Sequence, residues 1–281
     1  MQPTVTGLYY YPIKGCRGLA AQRAEVGRMG IRYDRQWMIV DEHGVFVAQR
    51  SDSGMGIGIK SICLIETAVE GESLVLRAPK IPSLSVPLAG RAGNTVETQV
   101  WRSICTGVDQ GDDAAKWFTE VLSRERRGKY RLIRMPDDGV RRTKRGDIYL
   151  AFADGYPFLI ISQASLDDLN ARLPEPLPMN RFRPNIVIGG AKPYDEDYMS
   201  RVRIGGVEFQ GKTLCVRCAT TTTNQLTAER GKEPLKTLAT YRKRENGVIF
   251  GRNFAHVGTG TISVGDEVEV LVWEEERALR G

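Results

Sequence analysis

Short β-favouring segments recur at roughly ten-residue spacing through the first hundred residues, each closed by a turn signal, and this pattern leaves little scope for a helical fold. "RQWMIVD" and "VFVAQR" flank Glu42-His43-Gly44, and "SICLIETAV" and "SLVLRA" flank Glu70-Gly71-Glu72. In both places the glycine accepts the positive φ that a tight loop demands. "SLSVPL" and "TVETQVW" continue the series, so a barrel or sandwich is expected. With 281 residues, 41% of them hydrophobic and 26% charged, the chain holds enough apolar material for one large or two medium domains. That composition disfavours disorder and a membrane-embedded fold. The N-terminus runs straight into "TVTGLYYYPIKG", with no basic-then-apolar leader and no run of about twenty apolar residues, so a cytoplasmic location without membrane partners is expected.

The pattern changes at Asp112. Ala114, Trp117, Phe118, Val121 and Leu122 recur at helical spacing, with Asp112 and Asp113 placed to cap the helix and favour its positive end. "YRLIRM", "PFLIIS" and "PNIVIGG" read as strands, and "SLDDLNARL" as a helix opened by a capping box, Ser165 to Asp168. Strands return from Val202 onward, interrupted by a predicted short helix in "EPLKTLATYRKR" with Pro234 at its first position. The expected class is α+β and strand-rich, divided into residues 1–125 and 126–281.

The formal net charge of +6 is local. Ten basic residues stand against three acidic ones between Arg124 and Arg145, and the remainder of the chain is close to neutral. This stretch lacks the aromatic interleaving of a single-strand binder and matches no helix-turn-helix, so no nucleic acid is expected. It reads either as a docking face for an acidic partner or as a solvated loop.

The chain has no GxxxxGK[ST], no strand-borne GxGxxG and no HExxH, and only two histidines, His43 and His256. The densest chemical signal is Cys215-Val216-Arg217-Cys218, followed by Ala219 and four threonines. Zinc would call for a second ligand pair, and a thioredoxin-like site for a following helix; two buried thiols in a strand is the plain alternative. In an extended strand Cys215 and Arg217 share one face and Val216 and Cys218 the other, so at most one cysteine is expected to reach a given pocket. Arg217 beside a thiol favours the thiolate. Arg181 and Arg183 would project together if extended, suiting a phosphate, and Pro184 is expected to hold Arg183 extended. Lys14 in "YPIKGCRG" reads as an exposed turn lysine or as an anion ligand.

Taken in order, "YYYPIKGCRG", "YDRQWMIVD", "FADGYPFLIIS", "RFRPNIVIGG", "CVRCATTTTN", "EPLKTLATYR", "FGRNF" and "GTISVGDEVEV" resemble the MOSC family, the molybdenum cofactor sulfurase C-terminal domain, preceded by its N-terminal β-barrel partner. The mitochondrial amidoxime reducing components and their bacterial counterparts are the similar branch. The resemblance implies an N-terminal β-barrel domain packed on a MOSC β-barrel domain, and a molybdenum cofactor with Cys218 as the metal's thiolate ligand. It also implies that Lys14, Gly15, Arg35, Asp154, Gly155, Tyr156, Arg183, Asn185, Arg217 and Asn253 hold the pterin and phosphate. Gly15 and Gly155-Tyr156 depart from the family's common pattern, which often places hydroxyl side chains there. No pyridoxal phosphate and no iron–sulfur cluster in this chain are implied. The activity implied is reduction of N-hydroxylated base analogues or amidoximes, with electrons from a separate ferredoxin-like or reductase donor. A cofactor or sulfur carrier without turnover is the alternative.

Overall fold

The computed structural model describes residues 2–50, 55–89, 93–139, 141–143 and 148–275. Among them the largest sheet has nine strands. Its path runs Leu19–Ala21, Thr4–Tyr10, Ile186–Gly189, Phe158–Ser162, Gly247–Val257, Val207–Val216, Met199–Ile204 and Val268–Trp273, with Lys243–Arg244 paired at the side of Gly247–Val257. Pairing is antiparallel except between Phe158–Ser162 and Ile186–Gly189. The continuous apolar run of Phe158–Ser162 follows from its place in the middle of this sheet. Alternate side chains point to opposite faces, so Phe158 and Ile160 enter one core with Val5, Leu8, Phe209 and Phe254, while Leu159 and Ile161 enter another with Leu169, Phe182 and Phe250.

The first half builds a second body of smaller sheets. Thr95–Val100, Ser103–Asp109, Tyr130–Arg134 and Trp37–Asp41 form one, and Ile81–Pro87, Ser73–Ala78 and Glu66–Glu70 another. Its core gathers Ile13, Trp37, Ile39, Ile59, Ile62, Phe118 and Leu132. Strand pairing crosses residue 125 in both directions: Thr4–Tyr10 lies in the large sheet, and Tyr130–Arg134 pairs with Trp37–Asp41. The architecture is α+β and strand-rich, as expected.

Local expectations hold in part. Gly71 takes φ +58° in the tight loop joining Glu66–Glu70 to Ser73–Ala78. Gly44 takes φ +76°, but the segment after it joins Trp37–Asp41 only through a Val40–Phe46 bridge, and Val47–Ala48 pairs in parallel with Ile57–Gly58. Helix Asp112–Leu122 is capped by Gly111, so the two aspartates act on the dipole from the first turn and donate no cap. Helix Gln163–Asn170 starts earlier than expected, because Ser162 Oγ accepts from Ser165 N at 3.0 Å and becomes the cap in place of Ser165. The helix near Pro234 shrinks to Leu235–Leu238, with Arg244 drawn into a strand by pairing with Gly247. No helix among the described residues is long and apolar enough to cross a membrane.

Behind the large sheet, Glu196 and Asp197 are both buried. Burial, reinforced by the adjacent Asp197 carboxylate, lifts the Glu196 carboxyl to about 7. A raised carboxyl pKa means the folded state holds the proton more tightly than the unfolded chain, so its contribution to stability declines as pH rises from about 4.5 to about 7. Glu196→Gln is expected to flatten the stability–pH curve across that window, as measured by urea unfolding. Phe158 meets Phe209 edge-to-face at 5.0 Å in the core, and Phe158→Ala is expected to cost about 3–5 kcal/mol in the same assay.

Candidate functional site

Loops and strand ends from both halves converge on one cavity of about 430 Å³. Lys14 and Gly15 follow strand Thr4–Tyr10, and Arg35 precedes Trp37–Asp41. Asp154, Gly155 and Tyr156 precede Phe158–Ser162, and Arg183 and Asn185 precede Ile186–Gly189. Arg217 and Cys218 follow Val207–Val216, and Asn253 projects from Gly247–Val257. All eleven residues that the family resemblance implies therefore line a single space.

The electrostatics of its walls are lopsided. Lys14, Arg35, Arg50, Arg183 and Arg217 face it, against the single carboxylate of Asp154 among the described lining residues. Lys14 is buried, which lowers its pKa, while Asp154 opposes that by pairing with the ammonium; Lys14 Nζ also donates to Phe152 O at 3.0 Å. Desolvation at the cavity wall acts to raise Asp154, but its side chain is 64% exposed, and the Lys14 ammonium, the Trp101 indole N–H at 2.8 Å and nearby Arg50 hold it well below the usual carboxylate range. Burial likewise lowers the pKa of Arg183. Cations desolvated in excess of their partners make a cavity that favours an anion.

Two of these arginines stand on strained backbone. Arg35 has φ +49° and Arg183 φ +56°, the left-handed region that non-glycine residues seldom adopt. Their guanidinium carbons each lie 4.2 Å from the ring centroid of Tyr11, which is itself fixed by its hydroxyl donating to Pro184 O at 2.9 Å. Burial lifts the Tyr11 phenol to about 12, against the pull of both arginines, so it stays neutral. Asp34, buried below, accepts from Arg35 at 2.5 Å and from Tyr11 N at 2.8 Å. The expectation that Pro184 holds Arg183 extended is thus corrected: the stacking on Tyr11 and the packing around it override the local preference. Arg181 does not join Arg183. It is buried in the 3₁₀ turn Met179–Arg181 and donates to Thr221 O at 2.8 Å and Glu233 O at 3.2 Å.

Both cysteines of the Cys-x-x-Cys segment line the cavity, which overturns the expectation of one. The strand ends at Val216, and Cys218 leads into the 3₁₀ turn Ala219–Thr222, so strict alternation of side chains is lost at that point. Arg217 Nη1 donates to Cys215 Sγ at 2.9 Å and Nη2 to Phe182 O at 2.6 Å, while its Nε is buried without a partner among the described residues. The guanidinium therefore attends Cys215, and among the described residues it makes no hydrogen bond to Cys218. Among the described residues no three His, Cys, Asp or Glu side chains cluster to hold a bare metal ion.

Four further lining residues differ in how far they are already engaged. Asn185 spends its amide on the protein, accepting from Arg35 at 3.1 Å and donating to Tyr9 O at 3.2 Å. Gly15 has φ +85°, and a Cβ there would come within 2.3 Å of Ile62 Cδ1, so a serine does not fit without displacement. Gly155 has open space around it. Asn253 donates to Thr213 Oγ1 at 3.1 Å. Sequence reading missed Tyr11, Trp101 and Arg50; the only local sign of Trp101 was a tryptophan in the tight loop of "VWRS", where small residues ordinarily stand.

The basic stretch behaves differently from a uniform surface. Arg141 is buried and donates to the carbonyls of Ala151, Ala153 and Asp154, holding the Asp154 loop from behind. Arg134 is buried and pairs with Asp137, and Arg131 pairs with Asp109 and Asp112. Lys144 and Arg145 lie outside the described residues. A charge count along the chain overstates what a partner would meet.

The charge of Asp154 can be tested by Asp154→Asn, which keeps an acceptor oxygen and removes the carboxylate. With the Asp154 side chain largely exposed and Lys14 still bonded to Phe152 O, the loss is expected to cost about 1 kcal/mol at pH 7, read by urea unfolding.

A family model described as the MOSC domain matches residues 147–269, and one described as the MOSC N-terminal beta barrel domain matches residues 2–125. Mitochondrial amidoxime-reducing component 1 of Mus musculus is 37% identical over 289 aligned positions, covering 95% of this chain and 82% of that protein. The Homo sapiens protein of that name is 34% identical, covering 95% and 83%. Mitochondrial amidoxime reducing component 2 of Homo sapiens is 33% identical, covering 96% and 84%.

Proposed function

This chain belongs to the MOSC family, in the branch with an N-terminal MOSC β-barrel domain that includes the mitochondrial amidoxime-reducing components, and from that premise we propose that it is a molybdenum cofactor-dependent reductase of N-hydroxylated compounds. The carrying observation is the cavity itself: five cationic side chains from separate segments, two thiols and one carboxylate meet in one place. Such a donor set fits a ligand that joins a phosphate to a soft-ligand metal centre. A buried Arg217 Nε without a partner among the described residues supplies a further donor for an anion.

A bound molybdenum cofactor supplies two-electron chemistry in which an N–OH compound, two electrons and two protons give the N–H compound and water. The chain's residues do the rest. Cys218 offers its thiolate to the metal, while the Arg217 guanidinium bonds Cys215. Lys14, Arg35, Arg183 and Arg217 bind the anionic end, and Tyr11 keeps two of those guanidiniums in fixed positions. Asp154 preserves the charge of Lys14 in a buried setting, and Arg141 fixes the loop that carries Asp154. Electrons come from a separate donor protein. With Arg131, Arg134 and Arg141 engaged internally, the stretch 124–145 is a weaker candidate for the donor's docking face than its charge implies.

Metal analysis after expression in a cofactor-competent host tests this reading together with activity. Wild type is expected to carry molybdenum and to reduce 6-hydroxylaminopurine with an artificial reductant, whereas Cys218→Ser is expected to lose metal and at least about 100-fold of its activity. Protein without molybdenum would end the proposal. Molybdenum without turnover would favour a cofactor carrier.

A further inference from the structure

Trp101 occupies a position that local backbone chemistry argues against. It sits in the tight loop joining Thr95–Val100 to Ser103–Asp109, with Val100 paired to Ser103, and it has φ +55°. A loop of this length is most cheaply made with glycine or asparagine, and a bulky residue there stores strain. The surroundings hold the indole firmly. Its Nε1–H donates to Asp154 at 2.8 Å, the Phe46 ring meets it edge-on at 5.0 Å, and the Arg50 guanidinium lies 4.9 Å from its centroid. The result is a half-buried aromatic ring carried by the N-terminal half and aimed into a cavity whose thiols come from the C-terminal half.

The cavity otherwise presents few aromatic surfaces. Of its lining residues, Phe182 stacks on Phe250 at 4.2 Å and belongs to the core beneath, and Tyr156 packs beside Ile148 and Ala255. Trp101 is the ring whose polar edge is fixed by the site's own carboxylate, and strain held in place by such contacts is a mark of a functional position.

We infer that Trp101 is a specificity-determining residue: its indole, held by Arg50, Phe46 and Asp154, forms a flat wall that favours planar aromatic N-hydroxylated substrates over aliphatic ones. The inference rests on the reductase reading. An indole gives a planar ring a large, rigid contact at little entropic cost. An aliphatic amidoxime gains nothing comparable from it. Trp101 acts on binding, so its removal raises KM for the ring substrate with kcat unchanged.

The test uses the molybdenum-loaded protein with 6-hydroxylaminopurine and acetamidoxime as the two substrates, and Trp101→Phe and Trp101→Leu as the two variants. Trp101→Leu is expected to raise KM for the purine about tenfold more than it raises KM for acetamidoxime, the size that loss of one ring contact carries, with any change common to both substrates reporting the lost indole N–H to Asp154. Trp101→Phe, which keeps a ring, is expected to stay within about threefold. Equal losses on both substrates, or loss of molybdenum in Trp101→Leu, would overturn the inference by showing a general or cofactor-holding role. Calorimetry with adenine, the product, reads the same wall without turnover: about tenfold weaker binding in Trp101→Leu supports it, and unchanged binding overturns it. If wild type reduces neither substrate, the reductase reading fails and the adenine measurement alone decides whether Trp101 is a ring-binding wall.

Discussion

The pairing of Thr4–Tyr10 with Ile186–Gly189 governs how the rest of the molecule comes together. It places the start of the chain inside the large sheet built by its end. The next residue, Tyr11, then leaves the sheet beside Pro184 and carries Lys14 and Gly15 to the rim of the body built by the first half. Tyr9 N donates to Asn185 O at 2.8 Å, and Asn185 in turn holds Arg35, so the backbone ladder continues into the cavity wall as side-chain bonds. A cavity between two bodies needs such a tether, because loops alone do not hold opposed walls at fixed separation.

Charge in this protein works by position. Part of the basic stretch that dominates the count is spent on internal partners, Arg141 on three backbone carbonyls and Arg131 on two aspartates, while Arg124, Arg126, Arg127, Lys129 and Arg142 stay exposed. The cations that face the cavity come one or two at a time from distant segments, where no local run marks them. Burying them costs desolvation, and three of them are held by neighbours in the fold: Lys14 by Asp154, Arg35 by Asp34, and Arg35 and Arg183 together by the ring of Tyr11. Strain at Arg35, Trp101 and Arg183 collects around the same space, as is usual where a site is over-determined by its surroundings.

Cys215 and Cys218 show how the two levels of description diverge. Alternation along an ideal strand separates them, and the folded chain gathers both because the strand stops at Val216. Arg183 shows the same divergence, since its preference before proline yields to packing on Tyr11. Gly15 is the converse case. Its departure from a common serine is legible in the sequence, but the reason, Ile62 lying where a Cβ would go, comes from a residue distant in the chain.

The features legible in the amino-acid order alone are periodic and local. Turn glycines at 44 and 71, the apolar face of Asp112–Leu122 and the buried run of Phe158–Ser162 follow from the alternation of side chains and the conformational freedom of single residues. Ordered motifs, from "YYYPIKGCRG" to "CVRCATTTTN", also marked the cationic and thiol positions that meet in the cavity. Tertiary structure decided which groups share a wall, which arginines are occupied elsewhere, and where Trp101 points. Those outcomes depend on contacts between residues as far apart in the chain as Tyr11 and Arg183, and the free energy of such contacts is set by burial and geometry that no local window of sequence contains.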